Sequence, residues 1–403
     1  MFQTLRPQPP DALLALIGLF RNDPRPAKID LGVGTYRDDT GTTPVMAVIK
    51  SAERHLVDSQ QTKSYLGPEG DLRFVDLLAP IAFGAAGGFA GRLVGAQTPG
   101  GGGALRLGAE LIAAARPGAK VWLGVPTWPN HRPIFEAVGL SVAEYRYFDA
   151  ATQALCFEDM MAALAQAEPG DVALLHGCCH NPTGVDLDRE QWQAVASLMA
   201  ERGLVPFVDL AYQGLGRGLD ADADGVREVL ATSEEALVAY SCDKNFGLYR
   251  EWTGALFVLA RDAAMAATVY GNMLAHARVN WSMPPDHGAA AVRCVLESPE
   301  LTRAWQSELG GMCQRINAVR RAVAAASPSL AFMARQQGMF SQLRIAPAAV
   351  EALRRDHGIY MAGSGRINLA GLRAADADIF VAALAAVGAI SPEKSMVMEP
   401  VPY

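Results

Sequence analysis

Four short polar segments, each beside an apolar run, concentrate the side chains able to do chemistry in this 403-residue chain. Lys244 stands in Ser241-Cys-Asp-Lys244-Asn-Phe-Gly247, directly after an apolar stretch. A primary amine held there is a nucleophile able to condense with a carbonyl carbon. Asp209 and Tyr212 lie in Val208-Asp209-Leu-Ala-Tyr212-Gln-Gly214, and His176 and Asn181 in His176-Gly-Cys-Cys-His-Asn181-Pro-Thr-Gly184. The fourth segment, Thr98-Pro-Gly-Gly-Gly-Gly-Ala104, is a glycine run whose amides can converge on an anion at the start of a helix. Each has a bland reading. A strand-end lysine is more often solvated than reactive, and a glycine run or an Asn-Pro-Thr-Gly is more often a turn. Trp128 reads as ordinary core, and His176 equally as a satisfied core histidine.

The elements that must position these groups follow from hydrophobic periodicity. Between about 100 and 260, short apolar runs alternate with helical patterns, the pattern of parallel βα units. Residues 104–116 read as a helix with Leu105, Gly108, Ala109 and Ile112 on one face, stopped by Pro117 and Gly118. Strands are expected over 120–125, 172–178, 204–210, 236–242 and 255–260. Asp188 is placed to cap a helix that buries Trp192, Val195 and Met199 and ends at Gly203. In such a fold the working side chains belong beyond the carboxyl ends of the strands, where all four segments fall. After about 310, long alanine-rich helices and one strand-like stretch, 338–345, read as a separate α+β lobe.

Composition narrows the function classes. Half of the residues are hydrophobic, so the chain can bury a large core of two or three domains. Its 35 basic and 42 acidic residues give a net charge of −7 without long single-sign runs, which argues against nucleic-acid or membrane-surface partners. Six cysteines without CxxC spacing suggest neither a metal site nor a disulfide framework, and reduced thiols in the cytoplasm are expected. The apolar stretch 12–20 reads as an amphipathic first helix, and no run approaches the roughly 20 apolar residues of a membrane span.

Taken together, the segments are dense and ordered along the chain. They begin with Leu31-Gly-Val-Gly-Thr-Tyr-Arg-Asp38, continue through Lys63-Ser-Tyr-Leu-Gly67 and Pro126-Thr-Trp-Pro-Asn-His131, and end at Gly363-Ser-Gly-Arg-Ile-Asn-Leu-Ala-Gly371. Over nearly its whole length the chain resembles the aspartate/aromatic aminotransferase family of fold-type-I pyridoxal-phosphate enzymes. The resemblance implies an α/β fold: a large domain (46–309) around a mostly parallel seven-stranded sheet, and a smaller α+β domain (14–45 and 310–390). An N-terminal arm (1–13) and a C-terminal tail (391–403) complete it. It also implies pyridoxal 5′-phosphate as cofactor and amino-group transfer between an acidic or aromatic L-amino acid and a 2-oxo acid.

Carried over by position, Lys244 is the family's Schiff-base lysine and proton shuttle, and Asp209 faces the pyridine nitrogen with His176 behind it. Asn181 and Tyr212 bond the ring hydroxyl, and Trp128 stacks on the ring. Gly101, Gly102 and Ser241 serve the phosphate, joined by Tyr65 from a partner subunit. Arg366, with Gly34, Trp128 and Asn181 around it, grips the α-carboxylate through a planar two-point geometry. Arg278 reaches from the partner subunit to a distal carboxylate, so the resemblance implies a homodimer with shared active sites.

Three positions depart from the family, and all concern the cofactor phosphate. Gly102 stands where Thr is usual, Asp243 where Ser is usual, and Trp252 where Arg is usual. A phosphate of about −1.5 to −2 charge then meets a further carboxylate and lacks its guanidinium; Arg250 is a weaker candidate to replace it. Two other readings therefore stay open on these residues. One is a diverged enzyme with weakened or absent cofactor binding, acting differently on an amino acid in biosynthesis. The other is a cofactor-free protein that binds a dicarboxylate or an amino acid.

Overall fold

The computed structural model describes residues 1–7, 12–84, 89 and 91–391. The expected tail beyond 391, and 8–11 of the expected arm, lie outside the described residues. Seven strands form the central sheet: β1 (Leu93–Pro99), β2 (Lys120–Val125), β3 (Ser141–Arg146), β4 (Val172–His176), β5 (Val205–Leu210), β6 (Ala236–Ser241) and β7 (Thr253–Leu259). Their spatial order is β1-β7-β6-β5-β4-β2-β3. Strands β2 to β6 pair in parallel, and β7 runs antiparallel to both β1 and β6. β6 and β7 are buried along their whole length, which is why they read as unbroken apolar runs rather than alternating ones.

Helices cover the sheet. After α1 (Ala12–Asn22), α2 (Gly100–Ala115) starts where β1 stops and buries Ala104, Leu105, Gly108, Ala109 and Ile112. It begins four residues before the helix expected from sequence, because the glycine run forms its first turn; Gly100, at φ +64°, makes the bend from strand to helix. α3 (Arg189–Arg202) begins at a capping box between Asp188 and Gln191 and ends on left-handed Gly203, as expected.

The second lobe has its own core, with Leu31, Val319, Val323, Met333, Ile367 and Phe380 fully or almost fully buried. Two small strand pairs frame it: Ile29–Asp30 with Ile359–Tyr360, and Phe340–Gln342 with Arg366–Asn368. The strand expected over 338–345 is thus shorter. The 28-residue helix α4 (Pro299–Ala326) joins the lobes, placing Trp305, Leu309 and Ile316 in the core beside the sheet and Val319 and Val323 in the second core.

Candidate active site

Sheet register brings the polar segments to one edge. His176 at the end of β4 is paired with Asp209 near the end of β5, and Ser241 at the end of β6 with Gly254 of β7. β7 runs in reverse, so its first residue, Thr253, sits opposite Pro99 at that same edge. A cavity of about 470 Å³ opens there, within the range of small-molecule sites. Ten of the expected residues line it: Gly34, Gly101, Gly102, Trp128, Asn181, Asp209, Tyr212, Ser241, Lys244 and Arg366. His176, Asp243 and Trp252 lie on the same wall. Tyr65 and Arg278 do not reach it in the single chain; both are solvent-exposed. Arg250, the weaker candidate for the phosphate, is also exposed and off the wall.

Asp209 is held by His131, not by His176. His131 Nε2 donates to Asp209 Oδ2 at 2.9 Å, while its Nδ1 lies 2.7 Å from Thr127 Oγ1. Burial pushes the Asp209 carboxyl up, but the His131 hydrogen bond and the fields of His131 and Lys244 outweigh it and hold the group below the ordinary carboxylate value. His176 packs on His131 at 5.1 Å, and its buried Nε2 has no partner among the described residues. Burial and His131 hold its pKa down to about 3, so it is neutral. Neither His131 nor Thr127 was singled out from sequence. Their spacing in Pro126-Thr-Trp-Pro-Asn-His131, four residues apart at the end of β2, was the available signal.

Lys244 follows β6 in a segment braced from below. Trp305 Nε1 donates to Asn245 O at 2.7 Å, and the Trp305 and Phe246 rings stack at 4.3 Å. Lys244 Nζ lies 3.6 Å from Asp243 Oδ2 and 5.6 Å from the centre of the Tyr212 ring. Asn181 Nδ2 is 3.5 Å from Tyr212 Oη, and Asn181 Oδ1 is buried without a partner among the described residues. An amide left with unused capacity in a cavity wall is suited to a polar ligand. The Tyr212 phenol is pushed up by burial and by Asp209, so it remains a hydrogen-bond donor.

Across the cavity, Arg366 Nη2 donates to Gly32 O at 2.8 Å, and its guanidinium lies over Phe340 at 4.7 Å. Asn368, on the same strand, donates to Val33 O and Thr35 O at 2.6 and 2.7 Å and so fixes the loop that carries Gly34. Phe340 also meets Tyr212 edge to face at 5.7 Å. Its backbone is anchored by Arg320, buried and bonded to the carbonyls of Met333, Gln337, Gly338 and Phe340. Arg320 and Phe340 are further positioning residues that the sequence reading passed over.

The parts of a pyridoxal phosphate site are present: an amine, a buried carboxylate on an oriented histidine, an amide–phenol pair, an indole at the cavity wall, and a helix N-terminus beyond them. The comparisons with known proteins agree with it. Residues 26–384 match the family model for class I and II aminotransferases. The chain is 52% identical over 381 residues to a tyrosine aminotransferase of Rhizobium meliloti, covering 94% of this chain and 97% of that protein. It is 43% identical over 380 residues to an aspartate aminotransferase of Salmonella typhi, covering 92% and 96%. The structure of a Burkholderia pseudomallei aromatic-amino-acid aminotransferase covalently bound to pyridoxal phosphate superposes with a TM-score of 0.93 at 39% identity, covering 96% of this chain and 99% of that one. Site geometry, fold and sequence converge, and the chain belongs to the class I and II aminotransferase family.

Proposed function

We propose that this aminotransferase exchanges an amino group between an acidic or aromatic L-amino acid and a 2-oxo acid, with Lys244 carrying the cofactor. The observation behind it is that Lys244, Asp209, the Asn181–Tyr212 pair and Arg366 line one cavity. Pyridoxal 5′-phosphate is the cofactor, and it supplies an electron sink for the pair left behind when the substrate Cα–H bond breaks. Asp209, fixed by His131, provides the negative charge that keeps a pyridine nitrogen protonated. Asn181 and Tyr212 hold the ring hydroxyl, and Trp128 packs on the ring. Gly101, Gly102 and Ser241 take the phosphate at the start of α2. Arg366 would bind the substrate α-carboxylate, and Lys244 Nζ, once free, would hold and move the proton that leaves Cα.

The relatives named above act, by name, on tyrosine and on aspartate, which supports a substrate class spanning aromatic and acidic side chains. The exposure of Tyr65 and Arg278, far from idle surface types in this reading, supports a homodimer in which each copy completes the other's site. Six free thiols fit a reducing compartment such as the cytoplasm.

Purified protein given excess pyridoxal phosphate should show a visible absorbance band that Lys244→Ala abolishes, and should convert tyrosine or aspartate with 2-oxoglutarate to the matching 2-oxo acid. A band without 2-oxo acid product would favour a diverged reaction. Absence of any band would sink the reading in favour of a cofactor-free binding protein.

A further inference from the structure

The phosphate end of the cavity pairs two features that oppose each other. The first turn of α2, a 16-residue helix, contributes the amides of Gly101 and Gly102 and the positive end of the helix dipole. On the same wall stands Asp243, only 2% exposed. Its Oδ1 accepts the Thr253 N–H at 3.2 Å, and its Oδ2 is the atom 3.6 Å from Lys244 Nζ. Its own N–H donates to Ser241 Oγ at 3.2 Å, which binds the carboxylate segment to the expected phosphate ligand.

The cations available to Asp243 are few. Among the residues lining the cavity, Lys244 and Arg366 are the cations, His176 being held neutral, and Arg366 is engaged across the cavity with Gly32 and Phe340. Cys242 beside Asp243 and Tyr249 beyond it are both pushed up by burial and by Asp243 itself, and both are therefore neutral; of the other titratable groups on the cavity wall, His176 and Tyr212 are neutral and Asp209 carries its charge against His131. β7 offers the Thr253 amide, and the first turn of α2 offers glycine amides. Trp252, at φ +54° and 49% exposed, places its indole against Gly100, where an added Cβ would meet it at 2.8 Å. Among the described residues Lys244 is thus the one cation beside Asp243, and it is the amine that the cofactor takes. Burial already favours the neutral carboxyl, with Lys244 the largest influence opposing it.

We infer that Asp243 gates the cofactor phosphate by protonation: the phosphate seats at the Gly101–Gly102 turn when Asp243 takes one proton from solvent and becomes an O–H donor. An ionised carboxylate and a phosphate in one dry site repel strongly, and one of them is neutralised instead. An O–H donor to a phosphate oxygen is, by contrast, among the short and strong hydrogen bonds. The acidic departure thereby becomes a ligand, and cofactor affinity becomes a function of pH. This inference rests on the reading of the Lys244 cavity as the pyridoxal phosphate site.

The test titrates cofactor-free full-length protein with pyridoxal phosphate between pH 6 and 9, reading tryptophan fluorescence and the visible band. Parallel calorimetry in buffers of different ionisation enthalpy counts the protons taken up. Asp243→Asn keeps the shape and the acceptor for Thr253 while removing the titration. Relative to Asp243→Asn, the unaltered protein should take up one additional proton and lose about tenfold in affinity per pH unit once free Asp243 is ionised. Trp252→Arg, which keeps Asp243 but supplies a cation, should flatten that slope. With pyridoxal, which lacks the phosphate, the difference in slope between the unaltered protein and Asp243→Asn should be smaller than with pyridoxal phosphate, because only the Lys244–Asp243 contact then differs. Equal slopes and equal proton counts with pyridoxal phosphate would overturn the gating while leaving the cofactor site intact. If no protein in the series develops the visible band, the cofactor reading itself falls, and the gate with it.

Discussion

His131 sets the charge state of the site through one residue, because a carboxylate as buried as Asp209 stays ionised only with a donor fixed on it. Behind it the imidazoles of His176 and His180 follow at 5.1 and 4.1 Å, and His180 stacks on Tyr147 at 4.1 Å. Burial holds His176 and His180 neutral in the folded protein, His176 down to about 3 against an ordinary 6.5. The unfolded chain takes up those protons below pH 6.5 and the folded chain does not, so their stabilisation is complete above 6.5 and is lost as pH falls toward 3. Replacing His176 by Gln should therefore flatten the acid limb: between pH 7 and 5 the variant should lose about 2 kcal/mol less unfolding free energy in urea than the parent. His180 acts in the same direction, chiefly through its own burial, and Asp186, pushed up to about 6 by burial, acts in the opposite one; both remain in the variant, so the difference reports chiefly His176. Parallel pH curves would show that His176 is not the buried neutral group described. The exchange of His131 for His176 as the support of Asp209 shows where sequence reading stops at this scale. His176 and Asp209 are cross-strand neighbours, and each is visible beside its own apolar run. His131 arrives from a loop after β2, and only the fold brings it to the carboxylate.

At the scale of elements, local chemistry was legible and pairing was not. The Asp188 cap and the Gly203 stop of α3 are written in adjacent residues, and they form as expected. β1 was not recognised because Gly95, Gln97 and Thr98 interrupt its apolar character, and β3 because it is an edge strand in which only Tyr145 is buried. The reversal of β7 is a property of chain path, to which periodicity is blind. α2 shows how tightly the site depends on such packing. Gly108 faces β5 so closely that an added Cβ would lie 2.4 Å from Phe207 Cζ and 3.2 Å from Leu237 Cδ2. Alanine is favoured over glycine by about 1 kcal/mol in a helix interior, yet overpacking of this kind costs about 1–3 kcal/mol. Gly108→Ala should therefore be destabilised by up to about 2 kcal/mol in urea unfolding. It should also bind pyridoxal phosphate more weakly, because the displaced helix carries Gly101 and Gly102 at its start. A variant more stable than the parent would mean that α2 has room to shift and does not hold the cup in place.

At the scale of the molecule, the residues that the single chain leaves outside its cavity are as informative as those it gathers. Tyr65 is 93% exposed, and Val279, next to Arg278, is 85% exposed. Leu66 N donates to Met283 Sδ at 3.0 Å, so the segment carrying Tyr65 adjoins the one carrying Arg278, and the two form one face. In the proposed homodimer, this face paired about a two-fold axis would deliver the same two residues to both sites. Shared sites make a quantitative prediction with two inactive parents and a dicarboxylic amino acid as substrate. Lys244→Ala lacks the amine, and Arg278→Ala lacks the group for the distal carboxylate. In a hybrid dimer one site carries both lesions and the other carries neither, because its Lys244 and its Arg278 come from different chains. With random pairing of equal amounts, half of the dimers are hybrids with one intact site of two, so co-expression should restore about a quarter of the unaltered activity. If Arg278 served the cavity of its own chain, every site in the mixture would carry one lesion and the activity would stay at the level of the parents.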